Sequence, residues 1–221
     1  ARHRPWALAS RVASVDRLSG GRVTLGVGLG ALHGNWLAFE ADEGRAVRAR
    51  KLDEVLDVYA GLMGGQPFSY TGEYFSASPV TELVPPPPVQ TPHPPVWCVG
   101  LMVPGRSRQR SLERAARWQG VFPAIAGGSL ENPGSQLTPP ALRELVERLG
   151  ALRAEAGQTM QGYDVVVEGD SHGEFGTVHP PVEQWADAGA TWWVESWWDL
   201  PDSPEGRAEL RRRLELGPPR T

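Results

Sequence analysis

Four tryptophans, Trp192, Trp193, Trp197 and Trp198, crowd around Glu195 near the end of an apolar run. Indole rings so placed can stack on a planar ring or shape an apolar pocket, and some of them can equally pack a strand against helices. Glu195 is a candidate to orient a ligand or to transfer a proton, with a structural ion pair as the plain alternative. Side chains alternate along a strand, so Trp193 and Glu195 share one face, expected to be the inward one. Glycines supply a second chemistry. Gly26-Val27-Gly28-Leu29-Gly30 and Gly100 close apolar runs, where a bare backbone can approach a ligand and offer N–H groups to phosphate. Tight turns leaving buried strands are the alternative there. Arg106, Arg108 and Arg110 share one segment and suit bidentate contact with phosphate, or form a solvated basic loop.

Other chemistries lack their residues. The histidines His3, His33, His93, His172 and His179 are scattered without metal-ligand spacing. Cys98 is the only cysteine, which excludes an internal disulfide and a thiolate metal site and reads as a buried strand residue. Ser19, Ser111 and Ser196 have no nucleophile-elbow context, so hydrolase chemistry is unsupported. Asp16 and Arg22 read as an ion pair at a helix end. In the glycine run the third glycine comes one residue too early for G-x-G-x-x-G, and no second strand with a terminal acid follows at dinucleotide-fold spacing. The chain has 221 residues, 40% of them hydrophobic, and a net charge of -4. That suits one domain and lacks the basic footprint of a nucleic-acid binder. No apolar run approaches the roughly 18 residues of a membrane span, and no signal peptide opens the chain, which reads as soluble and cytoplasmic.

The elements that must position these residues follow from periodicity. Leu8, Val12 and Val15 recur at helical spacing, and Gly20-Gly21 supplies a left-handed stop, so the first helix ends near Leu18. Residues 23–28 read as a strand buried on both faces. Leu52, Val55, Leu56, Tyr59, Leu62 and Met63 mark a helix that stops at Gly64-Gly65. A proline-rich excursion over residues 66–95 follows, with a short hairpin expected at 68–75. Strands are expected at 96–100, 121–125, 164–168 and 191–195. Helices alternate with them around Leu112 to Trp118, from a Thr138 cap with Pro139 in the first turn, near 182–188, and over 205–216. Strict alternation means parallel βα units.

Several ordered motifs resemble the luciferase-like monooxygenase family. Asp16 to Gly30 follows its Asp-x-Leu-Ser-x-Gly-Arg and Gly-Val-Gly-x-Gly pattern. Further matches are Arg50-Lys51-Leu52-Asp53-Glu54-Val55-Leu56, Phe68-Ser69-Tyr70-Thr71-Gly72-Glu73-Tyr74-Phe75, and Pro88-Val89-Gln90 with Pro94-Pro95-Val96-Trp97. Arg114 to Pro123 and Ala188 to Glu195 resemble its sixth and eighth strand regions.

The resemblance implies an α/β fold, a (β/α)8 TIM barrel of which strands four to eight are present, as a single domain over residues 1–221. The chain is expected to lack the first three strands. It also implies FMN or coenzyme F420 as cofactor, hydride or oxygen transfer to a small organic substrate, and a homodimer. In such barrels the site lies at the C-terminal strand ends, here residues 28–35, 100–110, 122–128, 168–172 and 195–198. The residues expected to bind cofactor are Gly28, Gly30, Asn35, Gly100, Leu101, Arg106 and Trp193, with Glu195 the catalytic candidate. Where the family's fifth strand commonly ends in Gly-Gly, this one ends in Gly100-Leu101. The alternative is a catalytically inactive truncated barrel acting as a binding or scaffold subunit.

Overall fold

A computed structural model of the protein describes residues 2–30, 36–65, 67–80, 86–126, 137–171, 180–197 and 200–218. By its internal contacts the chain divides into two units, Ala1–Cys98 and Val99–Thr221, with the boundary inside one strand.

The first unit opens on helix α1 (Pro5–Ser19), which starts on a proline at its first position and stops at Gly20 in the left-handed conformation, φ 67°. Its buried stripe is Ala9, Val12, Ala13 and Asp16. Val15, expected within the stripe, is 52% exposed. It lies roughly 100° round the helix from that stripe, whose small side chains let α1 lie close to helix α2 (Arg45–Met63). Strand β1 (Leu25–Val27) pairs in parallel with strand β4 (Val96–Met102), Leu25 opposite Val96 and Val27 opposite Cys98. Gly26 is exposed while Leu25 and Val27 are half-buried, so the expectation of a strand covered on both faces is corrected: one face of β1 is open.

Between α2 and β4 lies an antiparallel hairpin of β2 (Phe68–Thr71) and β3 (Ser76–Val80), longer than the segment 68–75 that the sequence suggested. Glu54 on α2 anchors its turn by accepting the N–H groups of Glu73, Tyr74 and Phe75 at 2.7, 3.0 and 2.9 Å. A side chain at Gly72 would strike that carboxylate, which explains the glycine.

Asp16 does a similar task for the proline-rich segment. Its carboxylate accepts the N–H of Val89 at 2.7 Å, the N–H of Gln90 at 3.1 Å and the side-chain amide of Gln90 at 2.8 Å. Arg22 instead donates to the carbonyl of Ser19. The expected Asp16–Arg22 pair is therefore corrected, because a buried carboxylate with three N–H donors needs no cation. Cys98 is fully buried, as its apolar run implied.

The second unit continues β4 and adds helix α3 (Arg110–Ala116), strand β5 (Gly120–Ile125), helix α4 (Pro139–Glu155), strand β6 (Asp164–Gly169), helix α5 (Val182–Asp187), strand β7 (Trp192–Glu195) and helix α6 (Pro204–Leu216). Thr138 caps α4, its hydroxyl accepting the N–H of Ala141, and Leu142, Leu145 and Leu149 are fully buried. Each of those leucines stabilises the unit by about 2 kcal/mol. Arg153 on α4 ties the end of α3 by donating to the carbonyls of Ala116 and Trp118 while stacking on Tyr163.

Hydrogen-bonded strand order is β1-β4-β5-β6-β7, and the β5/β6 and β6/β7 pairs are parallel. Each parallel strand lies beside the next in sequence, the singly wound order of a (β/α) barrel and not the reversal of a doubly wound sheet. The five expected strands are the five in this sheet.

Candidate functional site

Gly28, Gly30 and Asn35 belong to the first unit, and Asn35 lies outside the described residues. Gly30 has φ +87°, and a Cβ there would run into the Arg2 guanidinium. Its carbonyl accepts from Arg48 Nη1 at 3.1 Å. The glycine thus serves a turn that a side chain would strain, and its carbonyl is held from α2.

In the second unit, β4 runs two residues past Gly100. A Cβ on Gly100 would lie 2.6 Å from Val121 and 2.9 Å from Leu112, so the glycine lets α3 and β5 close over the strand. Gly100→Ala is accordingly expected to cost about 1–3 kcal/mol of stability through overpacking, read as a lower urea midpoint with unchanged slope.

The amide of Leu101, where a second glycine would stand in the family pattern, donates to Ser111 Oγ at 3.1 Å, and the same hydroxyl donates back to the Leu101 carbonyl. Buried Gln109 then braces the following loop, accepting from Val103 N–H and donating to the carbonyls of Val103 and Arg106. From α4, Arg148 also donates to the Arg106 carbonyl, at 3.2 Å. Arg108 pairs with Glu113. Arg106 and Arg110 are exposed at the same end of β4.

Trp193 and Glu195 do share a face, and Trp193 Nε1 donates to Glu195 Oε2 at 2.7 Å. That face is not the inward one. Trp193 meets Trp185 of α5, with ring centres 6.4 Å apart, and Glu195 faces Arg213 of α6 at 4.0 Å. Register places Val167 beside Trp193 and Gly169 beside Glu195 on the helix side, and Glu168 beside Val194 on the other. Trp192 and Val194 are 51% and 37% exposed there, and Val99 of β4 is exposed as well. Alternation could pair residues to a face, whereas the packing of α5 and α6 decided which face they cover.

Glu195 is the hub of this strand end. Its Oε1 accepts the Ser171 N–H at 2.8 Å and the Trp197 indole N–H at 3.0 Å. Burial works against its ionisation, yet the hydrogen bonds from Trp193, Ser171 and Trp197 outweigh burial and hold its pKa below the ordinary value. Arg213, whose side chain is fully buried, pairs with buried Asp170 just beyond β6 and donates Nε to Glu209 Oε1 at 2.6 Å. Its guanidinium carbon sits 5.2 Å from the centre of the Trp197 ring. Hydrogen bonds from Arg212 and Arg213 bring the Glu209 pKa down to about 2.

Asp170 fell inside an expected strand-end segment without a role, and Arg213 was missed. A sequence signal existed: Gly206, Glu209, Leu210 and Arg213 recur at helical spacing in an otherwise charged helix, marking the face that docks.

These residues accommodate a flavin-type group in part. Leu101's amide is engaged, so a phosphate there would rely on the Arg106 and Arg110 guanidiniums, while Trp193, turned toward α5, and Trp197, set against Arg213, brace the strand end. Among the described residues no group of acids, histidines or cysteines is arranged to hold a metal ion.

Comparison with known proteins adds ancestry to this geometry. The model of a family described as luciferase-like monooxygenase matches residues 1–172. An uncharacterized protein of Mycobacterium tuberculosis is 31% identical over 155 residues, covering 70% of this chain and 46% of its own length. An uncharacterized protein of Mycobacterium bovis matches with the same figures, 31% identity over 155 residues. The chain thus spans about half the length of the curated relatives it matches. Among solved structures, the coenzyme F420 dependent tetrahydromethanopterin reductase of Methanopyrus kandleri superposes with a TM-score of 0.63 at 16% identity, over 94% of this chain and 77% of that one. An F420-dependent secondary alcohol dehydrogenase in complex with an F420-acetone adduct gives 0.59 at 17%, over 98% and 68%. The oxygenating constituent of 3,6-diketocamphane monooxygenase of Pseudomonas putida, in complex with FMN, gives 0.56 at 18%, over 76% and 44%. At these identities the structural likeness establishes the fold.

Proposed function

From the premise that the chain belongs to the luciferase-like monooxygenase family, we propose that it forms the cofactor-binding portion of an oxidoreductase using FMN or coenzyme F420. The substrate is a small organic molecule, and the protein works as a soluble, cytoplasmic homodimer built on one barrel-type domain. The observation that carries the reading is the strand-end arrangement of the second unit. There the exposed guanidiniums of Arg106 and Arg110 lie beyond the C-terminal end of β4, where βα folds collect ligand-binding residues. The bound cofactor supplies hydride or oxygen transfer. The chain's own part is to bind and orient: guanidiniums for phosphate, with Glu195, Trp193 and Trp197 bracing the end of β7. No helix among the described residues is long and apolar enough to cross a membrane.

Titrating the 221-residue protein with FMN and with F420, followed by tryptophan quenching and cofactor emission, is expected to give saturable binding of one of them. Arg106→Ala should weaken it about tenfold, the loss of one charge-assisted contact. Absence of binding to both overturns the reading.

A second reading is favoured by one observation, the exposed Trp192, Val194 and Val99 on the helix-free side of the sheet. On it the chain is a binding or scaffold subunit whose bare sheet face packs on another chain. Sedimentation of the purified protein as a well-folded monomer that binds neither cofactor nor partner would exclude it.

A further inference from the structure

Buried N–H groups are paired in folded chains, because an unmade bond there is costly. Arg48 of α2 departs from this. Its side chain is only 12% exposed and its Nη1 donates to the Gly30 carbonyl, yet its Nε is buried and makes no hydrogen bond among the described residues, with Asp42 standing 3.5 Å away. Arg48 lines a cavity of about 340 Å³ in the first unit, at the lower end of the ~300–1,000 Å³ of small-molecule sites. Arg2, Arg4 and Lys51 line it too, against the carboxylates of Glu40 and Glu43. With Asp42 counted as a third acid, one positive charge is left over. Arg2 and Lys51 are paired with Glu40 and Glu43, whereas Arg4 lies against the Trp6 ring, 5.7 Å from its centre, and has no ion pair among the described residues. Helices α1 and α2 both begin beside the cavity, and neither has a side-chain cap or an acid in its first turn, so both N-termini add positive potential. Phe75, half-buried and edge-on to Trp6 with ring centres 6.4 Å apart, supplies an apolar wall.

We infer that this cavity is a binding site for a small organic carboxylate: Arg48 Nε and the Arg4 guanidinium take the carboxylate, and Phe75 walls the apolar body. A neutral molecule leaves the surplus charge unanswered, a cation meets it with the same sign, and a phosphate dianion overshoots it. An inorganic anion leaves most of the cavity empty. The site deepens the function proposed above by giving the small organic substrate a carboxylate, and it rests on that reading only for the ligand's turnover, not for its binding.

Calorimetric titration of the 221-residue protein with benzoate, benzyl alcohol, benzylamine and phenyl phosphate separates these ligands. Benzoate is expected to bind saturably, about tenfold more tightly than the alcohol or the amine. Arg48→Lys keeps the charge but loses the Nε donor, and is expected to weaken benzoate about tenfold. Arg4→Ala removes an exposed side chain, so it is expected to weaken benzoate about fivefold while the urea midpoint stays in place, and it decides the matter alone if Arg48→Lys does not fold. No saturable benzoate binding, equal affinity for benzyl alcohol, or benzoate affinity unchanged in the variants overturns the inference. Phenyl phosphate bound more tightly than benzoate overturns the carboxylate assignment. Benzoate displaced by FMN or F420 would give the cavity to the cofactor's phosphate and likewise overturn it. Benzoate binding by a protein that takes up neither cofactor leaves the site standing and removes the proposed function.

Discussion

Replacing Arg213 with methionine is expected to lower the unfolding free energy by about 3–5 kcal/mol, the cost of removing the cation that pairs with a buried carboxylate. Methionine fills much of the same volume, so the loss is electrostatic. Without the guanidinium, Asp170 keeps its charge in a buried position, and the anionic Glu195 and Glu209 lose the cation they share. The cation–π contact with Trp197 goes as well. Denaturant unfolding measures the loss. A double variant, Arg213→Met with Asp170→Asn, is expected to recover a large part of it, since the buried anion has then been removed along with its partner. If the double variant is no more stable than the single one, the pair does not act as a unit. Lysine at position 213 should fall between, because an ammonium cannot reach Asp170 and Glu209 with the same fixed fork.

Asp16→Ala is the second large effect, with an expected loss of about 3 kcal/mol, because three N–H donors from Val89 and Gln90 lose one charged acceptor. Asparagine keeps an acceptor but turns an NH2 toward donors, and should lose somewhat less. The pH dependence separates this from simple cavity formation. Burial pushes the Asp16 pKa up, and the bonds from the Gln90 side chain and from the Gln90 and Val89 backbones more than reverse that, leaving it below its ordinary value. A carboxylate with a depressed folded pKa contributes stability that is complete above the unfolded value of about 3.9 and is lost as pH falls through the folded value. The difference between wild type and Asp16→Asn should therefore be constant from neutral pH down to about 4 and close below it. A difference unchanged on acidification would show that Asp16 acts through packing alone.

Both residues illustrate what could be read without coordinates. Asp16 stands in the family motif at the end of α1, and its neighbourhood was read as a helix terminus, which it is. Its partners lie 73 and 74 residues away, so a nearby arginine was the natural but mistaken choice. Thr138 was read correctly because a cap needs only the residue and the N–H three positions on. Glu54 sits in a recognisable motif, yet its work is done on backbone 19 to 21 residues downstream. Arg213 lies 43 residues from Asp170, and nothing local ties the two.

The sheet follows the same division. Strand positions, the helices between them, the left-handed stop at Gly20 and the buried leucines of α4 depend on periods of two and 3.6 residues and on neighbours within one turn, so the chain's own pattern determined them, as its ordered motifs determined the family. Alternation likewise determined that Trp193 and Glu195 lie on one face. Only the tertiary structure decided that this face looks toward α5 and α6, that Gly100 yields room to α3, and that Glu195 takes up two indoles and a backbone N–H. Those outcomes depend on which distant elements pack together, and a carboxylate's role is set by the donors and charges that packing brings to it.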